Sequence, residues 1–296
     1  MKIIVTGSLG HISKPLTVEL VQKGHTVVVI SSNIERQKDI EAMGATAAIG
    51  TVEDVEFLTA TFTGADAVYT MVPPGNYFNS DFDVIASYKA IGNNYAEAIR
   101  QSGVKRVVHL SSVGAHLEKG SGLILVHHAV EDVLNKLPDV ALTFMRPVGF
   151  YYNLYSFIPV IKHTGMIAAN YGADENLVWV SPIDIAVAVA EELQTSPGSK
   201  VRYVASDELT GNQTATILGE AIGMPDLKWI LIRGEEWLNR LVAAGMNQQI
   251  AAGLVEMFES QNKGILTEDY YRNRPTLGKV KLVDFAKEFA ATFNQK

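Results

Sequence analysis

Through its first half the chain alternates short apolar runs with longer stretches whose apolar residues recur every three or four positions. The short runs are KIIVT (2–6), HTVVVIS (25–31), ATAAI (45–49), DAVYTMV (66–72), KRVVHLSS (105–112) and VALTFMR (140–146). Most are apolar on both faces, which predicts strands buried inside a parallel sheet. Between them, 12–24 sets Ile12, Leu16, Leu20 and Val21 on one helical face and stops at Gly24. Pro15 falls in that helix's first turn, where few backbone donors have partners to lose. Stretches 87–103 and 125–137 repeat the helical pattern. Strand and helix alternating over six strands predict an α/β fold with a doubly wound parallel sheet, because parallel neighbours need right-handed crossovers. After Pro147 the pattern loosens into an aromatic run, GFYYNLYSFIPV (149–160), then shorter mixed elements and two helices near 235–243 and 247–261. The expected organisation is a first domain over 1–147 and a smaller C-terminal α+β lobe over 148–296, with KVRYVAS (200–206) a candidate to return to the sheet.

The link between the first strand and first helix reads VTGSLGHIS (5–13). Gly7 permits a tight turn, and Gly10 lets backbone N–H groups approach a pyrophosphate. The helix N-terminus beyond adds a favourable dipole. Gly7, Ser8, Leu9, Gly10, His11 and Ile12 are therefore the candidate phosphate cradle. The third position governs helix-to-strand packing, and Ser13 is only slightly larger than the glycine usual there.

Gly-x-x-Gly-x-x-Ser after Thr6 resembles the TGATGxxG turn of the NmrA-like branch of atypical short-chain dehydrogenases/reductases. The likeness continues along the chain. GADAVYTMVPP (64–74) resembles the family's fourth strand and its loop over adenosine and ribose. SGVKRVVHLSSVGAH (102–116) resembles the fifth strand, LTFMRPVGFYYN (142–153) the sixth strand and substrate-side turn, and WVSPIDIAVAVAEEL (179–193) the helix that closes the lobe. The resemblance implies a Rossmann domain, bound NADP(H) or NAD(H), and a cleft under the C-terminal lobe. It places Met71, Val72, Pro73, Pro74 and Pro147 beside the cofactor.

NAD-specific folds usually end the second strand in an acid that holds the ribose 2′-hydroxyl. Here it ends VVVISSNIER (27–36), with no Asp or Glu at 30–32. Ser31, Ser32, Asn33 and Arg36 can instead receive a 2′-phosphate, which favours NADP(H) over NAD(H), although the arginine usual to the family at the strand end is missing. Ser32-x-x-Glu35 also reads as a capping box for the next helix.

Typical members of the superfamily carry a catalytic serine on the fifth strand and Tyr-x-x-x-Lys on the next helix, whose tyrosine passes a proton at neutral pH. Ser111 and Ser112 stand where the serine belongs. Leu123 and Ile124 occupy the tyrosine's place, and His127 and His128 the lysine's. Two functions follow. One is an NAD(P)H-dependent reductase of a quinone or other small conjugated acceptor, with His127, His128 or solvent supplying the proton. The other is a non-catalytic redox sensor with a protein partner or a homodimer. A nucleotide-sugar epimerase would require the missing Tyr-x-x-x-Lys pair. Tyr77 and Phe78, in the loop after the fourth strand, and Phe150, Tyr151 and Asn153, after Pro147, are the candidate substrate contacts. His109, His116 and His163 read as core or loop residues, and Asp184 as a packing residue; no metal-ligand spacing is visible.

Composition narrows the partners. The 296-residue chain has net charge −7, which argues against nucleic acid or an anionic membrane. It has no cysteine, so disulfides and thiolate chemistry are excluded. No apolar stretch reaches membrane-spanning length and no cleavable leader pattern precedes the first strand, so a cytoplasmic protein is expected.

Overall fold

The β-branched runs pair as their two-sided hydrophobicity requires. In a computed structural model that describes residues 1–195 and 199–295, the strands are β1 Lys2–Val5, β2 Thr26–Ser31, β3 Thr46–Ile49, β4 Ala67–Thr70, β5 Arg106–Leu110, β6 Ala141–Pro147, β7 Gly149–Phe150, β8 Met166–Ala169, β9 Asn176–Val180, β10 Val201–Val204, β11 Asp207–Thr210 and β12 Lys228–Leu231. The α-helices are α1 Ser13–Gln22, α2 Gln37–Ala42, α3 Val55–Phe62, α4 Val84–Ser102, α5 Leu125–Leu134, α6 Ile158–Thr164, α7 Pro182–Gln194, α8 Gly211–Ala221, α9 Gly234–Ala243, α10 Gln248–Asn262, α11 Glu268–Arg272 and α12 Leu282–Phe293.

Seven strands form one parallel sheet in the order β10-β6-β5-β4-β1-β2-β3. This is the doubly wound Rossmann arrangement. The strand order reverses between β1 and β4, which opens a crevice at their C-terminal ends. On one face Leu16 and Leu20 of α1 pack with Ile185 and Val189 of α7. On the other, Tyr95 and Ile99 of α4 pack with Val130 and Leu134 of α5 and Leu58 and Phe62 of α3. Beyond β6 lie a three-stranded sheet, β11-β9-β7, and the pair β12-β8. A separate aromatic core fills this lobe, including Tyr151, Phe157, Trp179, Trp229, Phe285 and Phe289.

The run at 200–206 does return to the sheet, where β10 pairs parallel to β6. With α7, which packs on α1, it belongs to the central layers. We therefore propose that the boundary near Pro147 marks a change of sheet, with 182–194 and 201–204 assigned to the first domain. Asp184 ties the two parts together. It is buried, and its carboxylate accepts from Ser206 Oγ at 2.6 Å and from the amides of Lys279 and Val280 at 3.1 and 3.0 Å.

Two helix boundaries differ from the sequence pattern. The helix expected over 87–103 begins earlier, because Asp83 accepts from the Ala86 amide at 2.9 Å and caps α4. The expected Ser32–Glu35 capping box does not form. Asn33 Oδ1 takes the Glu35 amide at 2.8 Å instead, and Ser32 is exposed one residue outside the cap. Asparagine's side-chain oxygen reaches an amide two residues on, so it competes directly with serine for the cap.

Candidate active site

At the mouth of the crevice the β1–α1 turn is held in a conformation that its glycines permit. Gly7 has φ +87° and Ser8 φ +53°, and Gly10 donates to the Gly7 carbonyl at 3.0 Å. A Cβ on Gly7 would lie 2.5 Å from Ser13 Oγ and 3.2 Å from Met71. Ser13 uses that hydroxyl to bond the Thr6 carbonyl at 2.8 Å, so serine locks the turn where a third glycine would merely fit. Helix α1 starts with Ile12 at its cap position, and no side chain accepts from the first-turn amides. Within that turn the Lys14 amide donates to the Gly10 carbonyl at 3.0 Å and Pro15 has no N–H, so the helix dipole at the topological switch point, more than a set of free α1 donors, favours an anion here.

The residues singled out at the end of β2 converge on this turn. Ser8 Oγ donates to Ser31 Oγ at 2.9 Å, and Arg36 Nη1 donates to Ser8 Oγ at 3.3 Å. The Asn33 amide donates to Ser31 Oγ at 3.2 Å. Met71 sits beside Gly7, with its amide donating to Thr6 Oγ1 at 3.0 Å; Val72 is buried, whereas Pro73 and Pro74 are exposed. Pro147 is buried at the end of β6, where its carbonyl accepts from the Val113 amide at 2.9 Å. The sequence reading passed over the β3–α3 loop. Gly50 donates to the Ser31 carbonyl at 3.0 Å, which brings 50–54 alongside the cradle. Gly50, closed upon by Phe57, was its only sequence signal.

The serine pair divides. Ser111 is buried and donates its hydroxyl proton to Glu131 Oε1 at 2.6 Å. Glu131 also accepts from Arg146 Nε at 2.9 Å and Nη2 at 2.6 Å, and Arg146 Nη1 donates to Tyr203 OH at 3.3 Å. Burial opposes the Arg146 charge, but the Glu131 carboxylate outweighs it and raises the guanidinium pKa. A hydroxyl has one proton, so Ser111, which stands where the superfamily's catalytic serine belongs, is committed to this buried ion pair. Ser112 is half-buried and keeps its hydroxyl outside the pair.

The histidines divide as well, because adjacent helical residues diverge by about 100°. His128 turns toward the 111–116 loop, its Nδ1 3.0 Å from the Ala115 carbonyl and its Nε2 3.6 Å from Asp132. His127 faces inward, edge-on to Tyr88 with ring centres 5.8 Å apart, and its Nδ1 is buried without a partner. Burial lowers its pKa to about 4. The ring is therefore neutral at pH 7 and does not serve as a cationic acid. His109, deep on β5, is lowered to about 3 by burial and then by His127, and its Nδ1 lies 2.9 Å from Thr70 Oγ1.

The sign of the resulting pH effect is fixed. Between pH 6.5, where unfolded histidine titrates, and pH 4, the unfolded chain binds protons that native His127 refuses, so stability falls as pH falls. Chemical denaturation of His127→Gln should show a shallower loss of stability across this window than the parent, with His109 retaining its own share. An unchanged slope would contradict the burial of His127.

Of the aromatic candidates, Phe150 reaches the cleft and Tyr151 does not. Tyr151 is in the lobe core; its hydroxyl donates to Asp207 Oδ2 at 2.7 Å, and its ring stacks on Phe285 at 5.5 Å. The cause is local geometry. Residues 151–157 form a 3₁₀ helix, so Tyr151, Leu154 and Phe157, three apart, share the buried side. Asn153 is on the exposed side of that helix, and Phe78 is 60% exposed. The missed residue is Tyr152. It stacks on His11 at 4.7 Å and on Phe150 at 5.0 Å, building a three-ring column against the glycine turn. Tyr77 is half-buried, with its hydroxyl 3.3 Å from that of Tyr88.

The C-terminal helices fasten the loops around this cleft. The Asn247 amide donates to the Tyr77 carbonyl at 2.9 Å, and its side chain donates to the Asn79 and Ser80 carbonyls at 3.0 and 2.9 Å. Gly122, φ +54°, presses against the α10 backbone at Gly253, where a side chain has no room.

A model described as the NmrA-like family matches residues 1–283. The chain belongs to the NmrA-like family. It is 23% identical over 305 residues to the NAD(P)H azoreductase of Xenophilus azovorans, covering 98% of this chain and 99% of that one. In structure this NmrA-like chain resembles a triphenylmethane reductase of Citrobacter sp., with TM-score 0.77, 21% identity and 97% of this chain and 100% of that one covered. It also resembles an NADPH-dependent quinone oxidoreductase of Escherichia coli determined with NADPH, with TM-score 0.80, 19% identity and 97% and 99% covered.

The NmrA-like fold thus presents a cradle suited to a dinucleotide. Gly7 and Gly10 carry no side chain, no side chain caps α1, and Arg36 donates to Ser8 Oγ. Among the described residues no group of three or more His, Cys, Asp or Glu side chains is placed to hold a metal, and no helix is long and apolar enough to cross a membrane.

Proposed function

We propose that this protein is a reductase that binds NADPH in preference to NADH and reduces small planar conjugated acceptors such as quinones. The observation that carries this reading is the uncapped α1 N-terminus joined to the Ser8–Ser31–Arg36 cluster. The first suits the pyrophosphate and the second a 2′-phosphate. The named relatives, an azoreductase, a triphenylmethane reductase and a quinone oxidoreductase, support the same reading. When bound, the dihydronicotinamide supplies a hydride. The protein's own part is to hold the dinucleotide at Gly7–Ile12, to stiffen the covering loop through Pro73 and Pro74, and to offer aromatic surface at His11, Tyr152 and Phe150. His127 then acts as a neutral wall of the cleft.

The test is steady-state NADPH oxidation across a panel of quinones, with turnover expected. Arg36→Ala should weaken NADPH binding about tenfold, as loss of one charged contact of ~1.4 kcal/mol would, and leave NADH affinity within a factor of two. Equal losses for both cofactors would remove the 2′-phosphate assignment. One observation favours a second reading, a redox sensor: Leu123 stands at the tyrosine position and Ser111 is committed to Glu131. Tight NADPH binding without turnover on any acceptor would support it.

A further inference from the structure

We propose that the paired hydroxyls of Tyr77 and Tyr88 replace the absent Tyr-x-x-x-Lys pair, with Tyr77 giving the proton to the acceptor oxygen and Tyr88 holding Tyr77 and donating a hydrogen bond to its oxygen. This rests on the reductase reading and extends it to the atom that moves the proton.

Helix α5 carries no phenol at the expected place, yet two phenols reach the same corner from other elements. Tyr88 comes from α4, is 5% exposed, and meets α5 edge-on at His127, the position where the lysine of the usual pair would stand. Tyr77 comes from the loop that leaves β4 at the ligand edge of the sheet. Its main chain is fixed by the Asn247 amide on its carbonyl at 2.9 Å, and its hydroxyl lies 3.3 Å from that of Tyr88. A phenol has one proton. When Tyr88 donates to Tyr77, the Tyr77 proton is free for a third group, and accepting a bond makes it a stronger donor. The loop that carries Tyr77 leaves β4 beside the glycine turn, where its first residue, Met71, donates its amide to Thr6 Oγ1 at 3.0 Å, so the loop starts at the cradle. Burial, followed by Tyr77 itself, raises the Tyr88 pKa, which keeps Tyr88 a protonated donor throughout the working range.

The balance closes. The quinone takes a hydride, two electrons and one hydrogen nucleus, from the dihydronicotinamide, which leaves oxidised, and negative charge develops on the quinone oxygen. The Tyr77 O–H bond breaks as the product O–H bond forms. Tyr88 stays protonated and donates to the Tyr77 oxygen, and solvent returns a proton to the half-buried Tyr77. A triarylmethyl cation needs none of this, because addition of a hydride alone gives the neutral product.

That contrast is the experiment. With a benzoquinone as acceptor, Tyr77→Phe should lower kcat about 10²-fold, the scale of one lost proton or oxyanion donor, and Tyr88→Phe about tenfold. The ratio of quinone to triarylmethyl-cation turnover should accordingly fall about 10²-fold for Tyr77→Phe and about tenfold for Tyr88→Phe. Equal losses on the two acceptors would overturn the proposal in favour of a packing role, and undiminished quinone turnover would overturn it outright. A second readout needs no turnover. p-Nitrophenol, a stand-in for the hydroquinone anion, should bind with its apparent pKa below the free value, read from phenolate absorbance, because donation to the charged form favours it. Tyr77→Phe should restore the free value. If the parent turns over neither acceptor, the reductase reading fails while the nitrophenol titration still decides the donor: a depressed pKa supports it and an unshifted one overturns it.

Discussion

Glu131→Ala is expected to lower global stability by about 3–5 kcal/mol, the scale for removing one partner of a buried ion pair. Glu131 is 4% exposed and Arg146 6%, and the carboxylate takes two guanidinium bonds and the Ser111 hydroxyl at once. Its removal leaves a buried cation whose remaining partners among the described residues are Tyr203 at 3.3 Å and the longer, half-exposed contact with Asp269 at 3.7 Å. The cost comes from the unpaired charge rather than from loss of an attractive pair. Replacing both residues together, Glu131→Met with Arg146→Met, should therefore recover most of the loss. Urea denaturation of the two single variants and the double variant decides this. A single variant as stable as the parent would mean that water reaches the pair, and a double variant no better than the singles would mean that the pair is essential to packing.

Gly10→Val should abolish stabilisation by NADPH while leaving the unliganded fold close to the parent. The backbone at Gly10 is not in the left-handed region, and a Cβ there meets only the Gly7 carbonyl, at 3.0 Å. The branched side chain nevertheless stands over the amides that would face the phosphates. At 100 times its dissociation constant, NADPH should add about 2.7 kcal/mol to the parent and nothing measurable to the variant. Gly7→Ala serves as a contrast. Its φ of +87° and the 2.5 Å approach to Ser13 Oγ should destabilise the protein even without ligand. A Gly10→Val protein with the full NADPH shift would move the binding site elsewhere.

The doubly wound sheet was legible because buried parallel strands print continuous apolar runs, and even the return of 200–206 was visible as Val201 and Tyr203-Val204. The tight glycine turn was legible because its geometry is set by glycine spacing within nine residues. What lay between elements was not. Glu131 and Arg146 are fifteen positions apart, and nothing in the periodicity of α5 or β6 shows that they meet. Tyr152 was masked by Tyr151, since a helical or extended reading of 149–157 hides the three-residue turn that sends Tyr151 into the lobe. Tyr88 sat in an ordinary amphipathic helix, and only the fold brings it to His127 and Tyr77. The histidine pair was visible at the lysine's place, but sequence reveals neither which ring turns inward nor the burial that lowers the His127 pKa.

The account turns on where the dinucleotide lies, and a crystal structure of the complex with NADP⁺ tests this most directly. The pyrophosphate should rest over the amides of 7–12, with the 2′-phosphate against Arg36 and Ser31 and the nicotinamide beside Tyr152. Density in any other place, such as the groove of about 640 Å³ between α7, β10 and residues 273–279, would contradict it.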